Sequence, residues 1–275
     1  MVFPDFVQDL LNDPAVQGGV APLAVGLILA MALIRVRLAG LAAVAGFLTA
    51  VYLMGSLSFW PLTAMRKIVL LAIVAPTLGV VADIAFKPSR TASALVAGFF
   101  ALASVWVFWS VLVQRPLSDA ILLGGGVAAF VFWVVATTAL LQAQPLRVGS
   151  VGLALGLGAG VGAILGASAV LGLFGIALAA GTGGFLLVAM IFGKRIAGGA
   201  TLVLTVSVIS TLIGAGALVL ANSPWWSLAV LALVPLAARL PVPEQRPAWI
   251  QAIVVSLYTL PVAATYCLLA WRFAE

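Results

Sequence analysis

Residues 148–166 read VGSVGLALGLGAGVGAILG, nineteen residues without a charge and with glycine recurring at every second to fourth position. A helix needs about 20 apolar residues to cross roughly 30 Å of hydrocarbon at about 1.5 Å per residue, and this stretch has that length. Gly152, Gly156 and Gly160 recur at four-residue spacing, and Gly158, Gly162 and Gly166 form a second series. At about 100° per residue the two series lie on different faces of one helix. Small residues let helix backbones approach closely in lipid, where no hydrophobic effect draws apolar helices together. The stretch therefore reads as a central helix packed from two sides, with a gating helix or a subunit interface as the functional alternatives.

The same ruler divides the rest of the chain. Ten apolar runs cover residues 18–34, 38–58, 67–86, 92–113, 119–141, 148–166, 169–192, 199–221, 225–239 and 248–271. The ninth is short, and the sixth and seventh share one apolar stretch divided near Gly166, Ala167 and Ser168 on length alone. The composition agrees: 65% of the 275 residues are hydrophobic and 7% are charged, against roughly 25% charged in a soluble domain. The fold expected is an all-α, polytopic transmembrane bundle of about ten spans, with residues 18–275 as one membrane domain.

Short cytoplasmic loops are enriched in Lys and Arg. With the N-terminus outside, one side receives Arg35, Arg37, Lys87, Arg90, Arg147, Lys194, Arg195, Arg239 and Arg246, and the other only Arg66, Lys67, Arg115 and Arg272. Nine against four supports both termini outside. Residues 1–17 are expected to hold a short external interfacial helix, because Phe6, Val7, Leu10 and Leu11 share a face and Pro4 suits a helix start. The opening carries Asp5, Asp9 and Asp13 and no basic residue, unlike a cleavable secretory signal, so the first span is expected to be retained. Arginine over lysine, with heavy Ala, Gly and Val usage, is compatible with a GC-rich bacterium and an inner-membrane location.

Apart from Asp119, which opens the run 119–141, Asp83 is the one acid placed within a hydrocarbon span, and an intramembrane ionisable group is a functional candidate by default. Lys87 follows four residues later on the same face, so an interfacial ion pair is the structural reading and a proton or cation step the functional one. Pro76 lies on that face and is expected to kink the helix and free a carbonyl. The eighth span groups Ser207, Ser210 and Thr211, and the tenth carries Ser256, Thr259 and Tyr266 on one stripe and Gln251, Tyr258 and Thr265 on another. Both helices are accordingly expected inside the bundle, their hydroxyls serving as helix glue or lining a solute path.

Other chemistry is excluded residue by residue. The chain has no histidine and one cysteine, Cys267, which removes disulfides, Cys/His zinc sites and ordinary haem ligation, so no cofactor or metal is expected. No paired carboxylates or Ser/His/Asp arrangement supports catalysis. Gly124 to Gly126 and the run Gly181, Thr182, Gly183, Gly184 lack the lysine of a phosphate loop. A net charge of +6 is spread over the ends of apolar runs, without the clustering that nucleic acid requires. Membrane lipids are the expected surroundings. Two functions stay open: a permease for a small solute or ion, whose mid-membrane cavity would be bordered by the eighth and tenth spans, and a non-catalytic subunit of a larger membrane complex, which would join a partner membrane protein or a second copy of itself.

Overall fold

A computed structural model describes residues 12–36, 38–57, 60–85, 89–166, 168–193, 196–221, 225–243 and 245–273. Helices α1 (Ala21–Leu33, entered through a π-helical turn at Val16–Val20), α2 (Leu41–Leu53), α3 (Ala64–Ala85), α4 (Arg90–Leu112) and α5 (Leu117–Ala139) form the first half. The second half comprises α6 (Pro145–Leu165), α7 (Ala169–Phe192), α8 (Gly199–Ala221), the broken α9 (Trp225–Leu231 and Val234–Ala237) and α10 (Ala248–Arg272). No strand occurs among the described residues. The expected interfacial helix around residues 4–11 lies outside them, as does Lys87.

Eight of these helices are long and apolar enough to cross a membrane. The other two are shorter than their apolar runs. α2 has 13 residues, about 20 Å of helix against roughly 30 Å of hydrocarbon. α9 breaks after Leu231 because Pro235 cannot donate to a carbonyl four residues back and its ring crowds that carbonyl. The indole Nε1 of Trp133 in α5 donates to Ala232 O at 3.2 Å in that break, replacing part of the lost pairing. By contrast α3 continues through Pro76 and α10 through Pro261.

The connections sort to two ends. At one, called here the near end, the α3–α4, α5–α6, α7–α8 and α9–α10 connections line common cavities, and Gly40 before α2 abuts Gly198 and Leu202. At the far end Arg115 reaches the last turn of α8, and the ring of Trp226 packs edge-on against Phe273 with centroids 4.9 Å apart. Outward-facing Leu95 and Leu102 on α4 and Ile121 and Leu122 on α5 are each more than 60% exposed. An apolar surface of that extent suits lipid rather than water. This is an integral membrane protein.

Burial is uneven between the halves. Every residue in the apolar window of α8 is buried, against 72% for α6, 67% for α7 and 39% or less for the other long helices. α8 is the central post, packed by α3, α5, α6 and α7. Around it the backbones meet at glycines. Gly156 and Gly160 of α6 face Gly175 and Gly172 of α7, and a Cβ added at Gly160 would stand 2.8 Å from Gly172 O and from Ile176 N. Gly158 and Gly162, about 200° further round at two residues' offset, face Ala263 and Tyr266 of α10. Gly152 meets Val206 of α8 and Thr182 of α7, while Gly166 ends α6 with its N–H on Gly162 O. The glycines of α7 do the same work on its other side, Gly181 and Gly184 against Gly26 of α1 and Gly181 against Gly46 of α2.

At Gly160 a side chain would meet backbone, which cannot rotate away. Gly160→Val is therefore expected to destabilise the bundle by about 3 kcal/mol or more. Gly125→Val, with nothing within 4 Å, is expected to be silent. Thermal unfolding followed by size-exclusion chromatography in detergent compares the two directly.

Candidate functional site: a polar seam beneath a basic vestibule

The α8 hydroxyls are closed on their own helix. Ser207 donates to Val203 O at 2.6 Å, Ser210 to Val206 O at 2.5 Å and Thr211 to Ser207 O at 2.7 Å, all in buried surroundings. Bonds of this type satisfy a hydroxyl donor inside an apolar helix and leave no requirement for a partner across the interface. α6 packs on both α8 and α10 and stands between them. The two polar rows are thus not brought together, and the space expected between the eighth and tenth spans is occupied by α6.

α10 is also less enclosed than its two polar stripes suggest, with only 28% of its window buried. Its outer stripe is satisfied locally: Gln251 Nε2 donates to Arg246 O at 2.7 Å, and Thr265 donates to Pro261 O at 2.9 Å from an exposed position. The inner stripe faces α6. Ser256 donates to Ser150 Oγ at 3.1 Å, and Thr259 bonds back to Val255 O at 3.1 Å. Towards the far end Tyr266 is fully buried against Gly162, and its hydroxyl has no hydrogen-bond partner among the described residues. Cys267 beside it approaches Gly158 O at 3.7 Å. A single seam between α6 and α10 therefore carries Ser150, Ser256, Thr259 and Tyr266 on a floor of glycines. Ser150 was not singled out in the sequence because its partner is 106 residues away.

Asp83 binds elsewhere. Its Oδ1 accepts from the N–H of Ala200 at 2.7 Å, and its Oδ2 accepts from the N–H of Thr201 at 2.9 Å and from Thr201 Oγ1 at 2.7 Å. The first turn of α8 lacks intrahelical acceptors for these N–H groups, and a carboxylate at a helix amino end also complements the helix dipole. Gly79, one turn earlier, gives the room: a Cβ there would stand 2.8 Å from Thr201 N. Gly199 takes a φ of +61°, a left-handed turn that presents the two N–H groups to α3. At the opposite end of α8, Arg115 Nη2 donates to Val219 O at 3.4 Å, so both poles of the central helix face a complementary charge.

The near end is hollow. A cavity of about 950 Å³ is lined by Asp83, Arg90, Trp133, Gln142 and Arg239 among others. A second of about 790 Å³ adjoins it at Ala143, Pro145 and Ile196 and is lined by Gln144, Arg147, Gln245, Arg246 and Gln251. Its lining includes Gln251 and Val255 of α10, and Val255 immediately precedes Ser256, which bonds Ser150. The vestibule therefore ends beside the seam, whose Ser150 and Ser256 are not among the lining residues of either cavity. Among the described residues no group of three or more His, Cys, Asp or Glu side chains is placed to hold a metal.

An unsatisfied buried hydroxyl costs about 1 kcal/mol or more. Tyr266→Phe is expected to raise the thermal unfolding temperature, and a lowered temperature would show that the hydroxyl is paired. Asp83→Ala removes both acceptors from the start of α8 and is expected to cost about 1–2 kcal/mol in the same assay.

The chain matches no protein-family model, no curated protein and no solved structure. The seam and the vestibule are the observations from which its function is read.

Proposed function

We propose that the protein is a permease for a small solute, crossing the inner membrane of a bacterium with ten segments and both termini outside. The observation that supports this reading is the adjacency of the vestibule, lined by Gln251 and Val255, to the α6–α10 seam at Ser150 and Ser256. A hydroxyl row against glycines offers a solute hydrogen bonds on one side and a close backbone approach on the other. The vestibule opens at one end only, and Tyr266 fills the seam at the other. In alternating access one group of helices rocks against another around such a site. The near end would be cytoplasmic, since nine of the thirteen basic residues belong to its connections and flanks. No reaction is assigned to the protein.

A second reading rests on α8. Its complete burial and self-bonded hydroxyls describe a packed interior, which suits a non-catalytic subunit of a larger membrane complex. Native mass spectrometry after extraction in mild detergent separates the two: stoichiometric retention of a different protein supports the subunit, and recovery alone or as a homo-oligomer supports the permease.

Within the permease reading, Ser256→Leu fills the seam at its near-end mouth. Uptake of an isotope-labelled metabolite mixture into cells overproducing the variant is expected to fall to the level of cells without the protein, with its elution profile unchanged. Uptake equal to that of the unaltered protein would remove the seam from the path.

A further inference from the structure

We infer that the smaller cavity of the vestibule is a binding site for a small anion, a carboxylate or a phosphate group. Two arginines and three glutamine amides line it, Arg147, Arg246, Gln144, Gln245 and Gln251, and no carboxylate is among its described lining residues. The carboxylate in the adjoining cavity, Asp83, already spends both oxygens on the first turn of α8. The charged side chains among its described lining residues are therefore both cationic, while Glu244, next to Gln245 in the sequence, lies outside the described residues.

Arg147 supplies the order that a binding site needs. It is half-buried in the first turn of α6, and its Nη1 donates to Ala238 O at 2.7 Å and to Leu240 O at 3.1 Å. These carbonyls follow the second half of α9. One nitrogen of the guanidinium is pinned, so the side chain loses its freedom on folding and less remains to be lost when a ligand arrives. Arg147 lines the cavity, its Nε and Nη2 take no part in those two bonds, and a planar guanidinium matches the paired oxygens of a carboxylate or phosphate. Gln251 is fixed in the same way by Arg246 O. The cavity, at about 790 Å³, lies within the size range of small-molecule sites, roughly 300–1,000 Å³. Glutamines beside arginines supply neutral donors, which suit an oxyanion held reversibly better than a cage of charges would.

The role of this site as the entrance of a transport path rests on the permease reading; anion binding itself does not. The chemistry is shared by a free metabolite and by an anionic lipid headgroup, and the test distinguishes them. The purified full-length protein in uncharged detergent at low salt is titrated by calorimetry with sodium phosphate, with sodium succinate and with dihexanoyl phosphatidate. At least one is expected to bind with a Kd of about 1 mM or lower, and Arg246→Gln is expected to weaken it about tenfold or more. Arg147→Lys keeps the charge but loses the fork and is expected to weaken binding as well. Arg66→Gln, at the far end, serves as a control and is expected to change nothing.

Binding of phosphate or succinate assigns the site to a soluble solute, and binding of phosphatidate alone assigns it to a headgroup. Absence of binding by all three, or equal binding by the unaltered protein and by both vestibule variants, overturns the inference. Because the titration needs no transport, anion binding without uptake retains the site and removes the permease, whereas uptake without binding does the reverse.

Discussion

In hydrocarbon the surroundings of a helix are as apolar as its neighbours, so burial alone does not draw two helices together. Contact has to come from close van der Waals approach and from backbone groups brought near one another. The bundle depends on that constraint. Where α6 meets α7, glycine faces glycine, and where α7 meets α1 and α2, Gly181 stands between Gly26 and Gly46. α6 carries one glycine series towards α7 and the other towards α10, which makes it the helix through which the two sides of the second half are joined.

The seam follows from the same geometry. A face of glycine packs tightly only when its neighbour is smooth, and α10 offers Ala263 but also Ser256, Thr259 and Tyr266. The result is a contact with polar groups and an unpaired phenol inside it, less uniform than the α6–α7 contact. α8, held at its amino end by Asp83 and at its carboxyl end by Arg115, is the fixed reference against which such a contact can shift.

Much of this was legible in the sequence, because hydrocarbon thickness imposes a length. All ten apolar runs correspond to helical segments, and the division near Gly166 to Ser168 falls between the end of α6 at Leu165 and the start of α7 at Ala169. Length could not show that α2 is only 13 residues, whereas the short ninth run and its Pro235 already point to an interrupted α9. It also could not place helices laterally: the polar stripes of α10 resemble those of α8, yet α10 is peripheral and α8 central, since local hydroxyl-to-carbonyl bonds satisfy either position. Spacing offers Asp83 a partner in Lys87, four residues on and outside the described residues, and it could not offer the partners 117 and 118 residues away that the carboxylate also binds. Periodicity reports neighbours on one helix and is silent about neighbours on another. The basic vestibule was visible as a charge bias, and its role as a cavity emerged only when four connections converged.

The reach of the Asp83 clamp bears on how the chain is assembled as it is made. The first five helices leave the ribosome with their tightest contacts still to come: Asp83 and Gly79 await α8, and Gly26 and Gly46 await α7. Within this half α1 packs on α2 and α4 on α5, whereas α3 makes most of its contacts with α8. α6, α7 and α8 pack on one another within the second half, so the packing of the early helices is completed only by helices made later. Until α8 emerges, Asp83 and the face of α3 at Gly79 lack the partners that they have in the finished bundle, and in that interval a membrane chaperone or a degrading protease meets them uncovered.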